Sequence, residues 1–439
     1  MLNPILPVPR DVHPEENPQI PEILPHERMY SIQIGDKLFK LSGASLSYDS
    51  PSYFTDYFSQ PNNEYGTLFI DRSPRVFKKI CQHLQGYSIK VQDEYEFMYL
   101  YADTTYFRLN KLRLKLLDEG LFVNIGGETF QISKAIFRQK GNSPNYFTVL
   151  YETLQADPFL NSKVLIRPPS MTPYKIHRSP LLFRQLLYLL TGGIVDIKDE
   201  NHRKQLIEEA RYYSFFALEQ QLTKTDIRKN PFTMHDEILI NFNDIKKDGM
   251  INVSSSNREA LVQYSRPHCD RIGRDLVIQI ISAEVTLLID ANDSFCSLSV
   301  VGKTAKILYG LLSVVSDDVI FEQTDTQLKL TLLVRLDNCY SHINSVEMQD
   351  GWISKLVEAR KHKLSPLPMS DPSFFNSNVP RPAQTSIDTR KVPPQVIAIK
   401  VLRSQWTISV TGRHRILANG VMIDGVSDEA NYNNRRGFI

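Results

Sequence analysis

The sequence is poor in cysteine, has almost no net charge and contains no long apolar run. Its 439 residues include only four scattered cysteines, which excludes a disulfide-dense secreted fold and a cysteine-rich zinc module. Lys and Arg number 51 against 49 Asp and Glu, so the charge of +2 gives no reason to expect a nucleic-acid or membrane-surface partner. No stretch of roughly 18 uninterrupted apolar residues occurs, so we expect no membrane-spanning helix.

Proline is unevenly distributed along the chain. Of 25 prolines, seven lie in residues 1–28 and seven in residues 364–394. Because proline fixes φ and lacks an N–H, we expect a disordered tail at 1–28 and a long surface loop at 364–394. The first window lacks the basic start and unbroken apolar core of a signal peptide. A tail that docks into an aromatic-lined groove is the functional alternative there.

The first half of the chain contains one unit twice. Residues 31–46 align with residues 122–137 at an offset of 91, and the next block aligns at an offset of 93. Residues from Arg72 to Leu112 then align at an offset of 106. The offset changes only between blocks, as expected when loops differ between copies of one fold. We therefore predict two small α/β lobes of about 90–100 residues each.

Each copy predicts the same order of elements, which is clearest in the second. Alternating apolar residues around Gly126-Gly127 predict a β-hairpin with a glycine turn. Ser179-Pro180 predicts the start of a helix, and Gly192 its end. A second amphipathic helix follows, with its apolar residues at helical spacing up to Leu218.

These blocks resemble the BTB/POZ domain of the potassium-channel tetramerisation type. The motifs that carry the resemblance are Val123-Asn124-Ile125-Gly126-Gly127 with Phe130, Phe69–Phe77, Leu187–Gly193 and Ala210–Tyr213. The resemblance implies a three-stranded sheet covered by helices, used for protein assembly and without catalytic chemistry. A tandem pair followed by a β-rich region is similar to a fungal group that includes regulators of growth and stress response.

The copies depart from that family's pattern at defined places. Asp36 stands where the second copy has Gly127, and the His/Cys cluster with which some channel members bind zinc is absent. No extension resembles the cullin-binding helices of ubiquitin-ligase adaptors. Only about Leu117–Gly120 separates the lobes, so they must lie close, as neighbouring subunits of a ring would. Two outcomes stay open: a dimer of chains that forms a pseudo-tetramer, or a monomer in which divergence blocks ring closure.

The second half of the chain indicates strands from His235 onward. Runs rich in Val, Ile and Leu predict strands at Glu237–Phe242, Met250–Val253, Asp275–Asp290, Phe295–Val301, Lys306–Phe321, Gln327–Leu336, Gln395–Val410 and Gly420–Asp424. Trp352–Lys363 predicts a helix. Strands on both sides of the proline-rich loop indicate that the chain returns to the same sheet.

The predicted fold class is therefore α+β, with three domains. Two tandem BTB/POZ domains occupy residues 29–118 and 121–225. A mostly-β domain, a sandwich or an open barrel, occupies residues 235–430 and contains the loop at 364–394.

Few residues indicate chemistry. Gly126-Gly127 lacks the remainder of a phosphate-loop pattern, so a hairpin turn is favoured. His268-Cys269 with His235 or His342 lacks metal-ligand spacing, which favours surface or packing roles. Two arginines in the C-terminal Asn433–Arg436 are too few for nucleic acid. We predict no catalytic residue, cofactor, metal or small-molecule substrate.

The residue pairs just before Ser73-Pro74 and Ser179-Pro180, where a helix is predicted to start, are candidates for a protein interface: Asp71, Arg72, His177 and Arg178. In tetramerising relatives polar side chains make much of the subunit interface. The alternative is a structural anchor, in which Asp71 binds backbone N–H groups at the helix start and Arg72 stacks on a helix.

The expected function is that of a non-enzymatic adaptor, cytoplasmic and/or nuclear, that oligomerises through its BTB/POZ domains in growth or stress signalling. The expected partners are proteins: a second copy, another BTB protein, a signalling phosphatase or a cullin. The alternatives are a substrate adaptor of a cullin ubiquitin ligase and an uncharacterised enzymatic β domain.

Overall fold

The computed structural model describes residues 20–156, 172–252, 259–290, 295–323, 328–361, 396–411 and 415–437. The loop predicted at 364–394 and residues 1–19 of the predicted tail lie outside this range. The chain divides into two compact units, Met1–Glu219 and Gln220–Ile439. Both lobes belong to the first unit, except for the last three residues of the final helix of lobe 2, which fall in the second.

Lobe 1 is a three-stranded sheet covered by helices. Its strands are β1 (Met29–Ile34), β2 (Lys37–Ser42) and β3 (Thr67–Ile70), in the order β2-β1-β3 with β3 parallel to β1. Its helices are α1 (Gly43–Ser47), α2 (Tyr53–Phe58), α3 (Pro74–Leu84), α4 (Glu94–Phe107) and α5 (Asn110–Glu119). Alternate residues of β1 are buried, because one sheet face covers the aromatic core that contains Phe54, Phe77 and Phe107.

Lobe 2 repeats this arrangement. Its strands β4 (Leu121–Ile125), β5 (Glu128–Ile132) and β6 (Lys175–Ile176) form a sheet in the order β5-β4-β6. Its helices are α6 (Lys134–Phe137), α7 (Tyr146–Gln155), α8 (Pro180–Leu190), α9 (Glu200–Tyr212) and α10 (Phe216–Leu222). Helices α8, α9 and α10 each begin 106 residues after α3, α4 and α5, which confirms the repeat that the sequence predicts.

The predicted helix signals lie at helix ends. Ser73 and Ser179 are N-caps with proline at the first helical turn, and Ser179 also accepts a side-chain hydrogen bond from the Leu182 N–H at 3.3 Å. Gly126 has φ +57°, and a Cβ there would lie 2.5 Å from the Arg178 carbonyl oxygen. The glycine is therefore required by both the turn and the close approach of the next block.

The second unit is built on one large sheet. Its strands are β7 (Thr225–Lys229), β8 (Asp236–Asn241), β9 (Met250–Ile251), β10 (Ala260–Leu261), β11 (Gln263–Tyr264), β12 (Arg274–Asp290), β13 (Cys296–Val301), β14 (Ile320–Gln323), β15 (Leu328–Arg335), β16 (Tyr340–Ile343), β17 (Val346–Glu347), β18 (Val396–Val410) and β19 (Ile416–Val426). Its helices are α11 (Gly302–Leu312), α12 (Trp352–Lys361) and α13 (Glu429–Asn433). The first strand of this sheet lies before the predicted start at His235.

Five strands of this sheet pair in a closed ring. β12 pairs with β13, β13 with β15, β15 with β19, β19 with β18, and β18 again with β12. The expectation that the chain returns to the same sheet after the proline-rich loop is confirmed by β18. The mostly-β character is confirmed, and the ring is a closed barrel rather than the predicted sandwich or open barrel.

One strand prediction in this unit is wrong. Residues predicted as the strand Lys306–Phe321 form helix α11 and then the short strand β14. The reason is the spacing of the buried residues Ala305, Leu308 and Leu312, which recur every three or four positions. In a segment that is apolar almost throughout, this spacing is hard to recognise, and its content of Val, Ile and Leu predicts a strand.

Candidate protein-interaction site

A single residue joins the two lobes. Helix α5 ends at Glu119 and strand β4 begins at Leu121, with Gly120 between them. Gly120 has φ +114°, and a Cβ there would lie 2.4 Å from the Ile132 carbonyl oxygen. The junction therefore keeps the lobes adjacent, as the short sequence between them predicts.

A buried carboxylate of lobe 1 binds the sheet of lobe 2. Glu94, at the start of α4, is 3% exposed. Its carboxylate accepts hydrogen bonds from Asn124 Nδ2 at 2.9 Å and from the Thr129 hydroxyl. Burial alone would raise the pKa of Glu94, but the hydrogen bonds from Thr129 and Asn124, with one from the backbone, hold it below its ordinary value.

Aromatic side chains complete this contact. The Phe97 ring of α4 stacks on Phe122 of β4, with centroids 5.5 Å apart. The Tyr101 hydroxyl donates a hydrogen bond to the Leu154 carbonyl oxygen at the end of α7. Lys175 Nζ lies 5.3 Å from the centroid of the Tyr95 ring. One face of α4 thus packs on the outer face of the lobe 2 sheet.

This contact is heterologous, because a helix of one lobe meets the sheet of the other. Contacts of this kind leave one unused helix face and one unused sheet face, and they either close into a ring or continue as a chain. Among the described residues, the faces left exposed are that of α9 in lobe 2 and the outer sheet face of lobe 1.

Each of the two candidate arginines contacts the second helix after it in its own lobe, α4 for Arg72 and α9 for Arg178. Arg178 pairs with Glu209 of α9, with Nε to Oε2 2.7 Å, and its guanidinium lies 4.6 Å from the Tyr212 ring centroid. Arg72 lies 5.1 Å from the Tyr106 ring centroid of α4. The two arginines and the two tyrosines are each 106 residues apart, so the repeat preserves this packing.

The acidic partner differs between the lobes. Asp103 is the counterpart of Glu209 and is one methylene shorter. Among the described residues no hydrogen bond joins Asp103 to Arg72, and the buried Arg72 Nε has no hydrogen-bond partner. Burial raises the pKa of Asp103 to about 6, although the charge of Arg72 lowers it.

The other two candidates of this set lie at the surface. Asp71 and His177 are both exposed, immediately before the arginines. In the described part of the chain Asp71 makes no hydrogen bond to the start of α3, and Ser73 takes the cap position. Among the described contacts between α4 and the lobe 2 sheet, none involves these four residues. Their contact with another chain stays a prediction.

Comparison with known proteins divides the chain in the same way. Residues 31–117 and 121–223 each match the family model of the BTB/POZ domain. The chain is 30% identical over 378 residues to the BTB/POZ domain-containing protein YLR108C of Saccharomyces cerevisiae, covering 73% of this chain and 76% of that protein. This chain belongs to the BTB/POZ family.

This BTB/POZ protein is also similar to a second yeast protein, and its C-terminal region matches a second family model. It is 38% identical over 349 residues to the uncharacterized protein YDR132C of Saccharomyces cerevisiae, covering 66% of this chain and 70% of that protein. Residues 251–436 match the model of the YLR108C C-terminal domain. The two BTB/POZ domains are of the potassium-channel tetramerisation type, whose members serve protein–protein interaction and oligomerisation.

Several residues of the BTB/POZ protein that were considered as metal, catalytic or nucleic-acid sites form contacts within the fold. His235 Nδ1 lies 3.1 Å from Asp275 Oδ2, and His342 Nε2 lies 3.0 Å from the Tyr340 hydroxyl oxygen. Arg435 binds Asp424 at 2.6 Å. Over the residues that the structure describes, no three His, Cys, Asp or Glu side chains are grouped as a metal site.

An open cavity of about 690 Å³ lies in the second unit. It lies among the start of β13, the connection after β15 and the start of α12, and Trp352 and Leu336 line it together with Cys339. Burial raises the pKa of the Cys339 thiol. A thiol that stays protonated is not activated as a nucleophile. Over the described residues no helix is long and apolar enough to cross a membrane.

Sequence reasoning missed the residues that join the lobes. Asn124 lies inside the quoted BTB/POZ motif, but its role in binding Glu94 needs the tertiary structure. A signal was present in α4, where buried residues such as Phe97, Leu100 and Tyr101 lie around much of the helix. A helix with apolar residues on several faces is expected to be packed against neighbours on several faces. Helix α9 has fewer buried residues, which lie on one face.

Proposed function

We propose that this chain is a non-enzymatic adaptor. Its tandem BTB/POZ domains assemble with other proteins, and its C-terminal β domain presents a second binding surface. The observation that carries the proposal is the contact of α4 with the lobe 2 sheet. Because that contact is heterologous, one helix face and one sheet face remain for partners.

We propose further that the recruited partner is a signalling enzyme, such as a phosphatase, in growth or stress control. The resemblance to fungal tandem-BTB proteins supports this assignment. We also propose a cytoplasmic or nuclear location, since a content of four scattered cysteines in 439 residues suits a reducing compartment. Fluorescent tagging and the growth of a deletion strain under stress test these two points.

Affinity capture followed by mass spectrometry tests the adaptor function. Three full-length baits are compared: the wild type, Glu94→Lys, which disrupts the lobe contact, and Glu152→Lys, a charge reversal at an exposed glutamate of α7. We expect the partner set of the wild type to persist with Glu152→Lys and to be lost with Glu94→Lys.

Two results would redirect the proposal. A partner set that Glu94→Lys and deletion of residues 30–222 both leave unchanged would remove the tandem lobes as the recruiting platform. A cullin among the captured proteins would favour the ubiquitin-ligase adaptor instead.

A further inference from the structure

The outer face of the lobe 1 sheet carries an apolar row that no described part of the chain covers. The strand register places Leu38, Gln33 and Phe69 side by side across β2, β1 and β3. Leu38 is 54% exposed and Phe69 is 72% exposed. On the same face, two rows along β1, Met29 is also exposed. Apolar side chains grouped on an exposed face mark an interaction surface.

The equivalent row of lobe 2 shows what kind of element this surface holds. Thr129, Asn124 and Lys175 form that row, at the repeat offsets of 91, 91 and 106 from Leu38, Gln33 and Phe69. Helix α4 lies on it. Glu94 binds the first two residues, and Tyr95 lies against the third. The surface therefore accepts a helix whose first turn contacts all three strands.

We propose that the outer face of the lobe 1 sheet binds an amphipathic helix of a second protein, a proposal that rests on the adaptor function. The row determines the chemistry of the helix. Leu38 stands where lobe 2 has the hydroxyl of Thr129, and Phe69 stands where it has the ammonium of Lys175. The bound helix therefore carries apolar side chains where α4 has Glu94 and Tyr95. Gln33 keeps an amide at the centre of the row.

The neighbouring row of the same sheet face carries a positive charge, which further defines the bound helix. Ser31 and the exposed Lys40 are paired there, where lobe 2 has Phe122 and Gln131. In lobe 2 this row receives the Phe97 ring. A lysine in place of a glutamine favours a carboxylate, so the bound helix carries an acidic residue one turn after its apolar pair.

A second copy of the chain does not match this description. Repeating the contact between the lobes would place α9 on the lobe 1 sheet of the next copy. Glu200 would then lie over the apolar Leu38, and Arg203 would take the place of Phe97 and face Lys40. The α9 residues at the positions of Glu94, Tyr95 and Phe97 are the polar Glu200, Asn201 and Arg203, as in the capping repeat of an array that ends there.

Two matched peptides test the proposal. The probe is a fluorescein-labelled peptide of residues 92–108 with Glu94→Leu and Phe97→Glu, and the control is the native sequence. Both carry a hydrocarbon staple away from these positions, because isolated helices of this length are marginal. We expect the full-length chain to bind the probe at least about tenfold more tightly than the control, measured by fluorescence anisotropy.

A specificity exchange provides the matched variant. Leu38→Thr with Phe69→Lys gives the two outer positions of the lobe 1 row the side chains of the lobe 2 row, so we expect this double variant to prefer the native peptide. Equal affinity of the two peptides, or a preference that the substitutions leave unchanged, would overturn the proposal.

Other occupants of the face give different results. A dimer mass that Phe69→Lys reduces to a monomer would assign the face to a second copy. Probe binding seen only after removal of residues 1–19 would assign it to the N-terminus of this chain. Either result overturns the proposal and leaves the adaptor function to the capture experiment, which depends on Glu94 rather than on Phe69.

Discussion

Glu94 is a buried carboxylate whose hydrogen-bond donors come from the other lobe. We expect Glu94→Gln to lower the free energy of unfolding by about 1.5–3 kcal/mol at pH 7, because the donors of Asn124 and Thr129 lose a charged acceptor. The folded pKa lies below the ordinary value of 4.5. The stabilisation is therefore present above that pH and is lost as the pH falls through the folded pKa.

Urea denaturation at pH 7 and at acid pH measures this difference. The control is Glu200→Gln, since Glu200 holds the same repeat position, is exposed and forms only a 3.6 Å surface pair with Arg203. We expect an effect within about 0.5 kcal/mol for the control. A Glu94→Gln effect that does not shrink at acid pH would contradict the assigned role of the carboxylate.

Asp103 has the opposite dependence on pH. Its folded pKa is raised from 3.8 to about 6, so the folded state favours the protonated acid. The carboxylate consequently destabilises lobe 1 above pH 6, and this cost disappears as the pH falls towards 4. We expect Asp103→Asn to be more stable than the wild type at pH 7 by about 1–3 kcal/mol and equal to it near pH 4.

Thermal melts of both proteins across this pH range test the expectation. The matched variant is Glu209→Gln in lobe 2. Because Glu209 is paired with Arg178 at 2.6 Å, its substitution should destabilise the protein at pH 7. Stabilisation by both substitutions, or by neither, would show that the difference between the two acids has another cause.

The arginines that precede α3 and α8 also give a prediction. Arg72 and Arg178 pack on Tyr106 and Tyr212 of their own lobes. Charge reversal, Arg72→Glu with Arg178→Glu, should therefore lower the melting temperature by several degrees. Light scattering should give the wild-type mass. A changed mass with an unchanged melting temperature would support the predicted interface with another chain.

At the scale of elements, the junction between α5 and β4 depends on one glycine. Gly120→Ala adds a Cβ 2.4 Å from the Ile132 carbonyl oxygen at φ +114°. The control is Gly127→Ala, where φ is +94° and no atom lies within 4 Å of the added Cβ. We expect both variants to lose about 1–2 kcal/mol from backbone strain, and Gly120→Ala to lose more because of the clash. Equal losses by chemical denaturation would count against a tight junction.

The sequence predicted elements best where a local rule decides them. The offset of 106 placed α8 and α9, because turn glycines, capping serines and helical spacing are local. The single helix predicted up to Leu218 was wrong, since Ser214 at φ +60° separates α9 from α10. The sequence alone could not predict the hydrogen bond between Glu94 and Asn124, since that contact depends on how the two lobes pack. The closed ring of the second unit was also beyond reach, because β15 and β19 are joined through residues far apart in the chain. Helix α11 was misread because its apolar run fits either element.

At the scale of the molecule, each compact unit has its own core, and we expect two thermal transitions. Gly302 begins α11 in the second unit at φ +65°, and a Cβ there would lie 2.3 Å from the Glu284 carboxylate. That carboxylate accepts a hydrogen bond from the Thr304 N–H at 2.8 Å. Gly302→Ala should therefore lower one transition by about 3–8 °C, whereas Glu94→Gln should lower the other.

Scanning calorimetry of the full-length chain distinguishes the two transitions. Gly351→Ala is the control in the second unit, because its φ is +71° and no atom lies within 4 Å of the added Cβ. We expect it to shift the same transition as Gly302→Ala, but by less. If both Gly302→Ala and Glu94→Gln moved one common transition, the two units would unfold together. A partner that binds only one unit would then stabilise both, and binding to the BTB/POZ lobes would be coupled to the C-terminal domain.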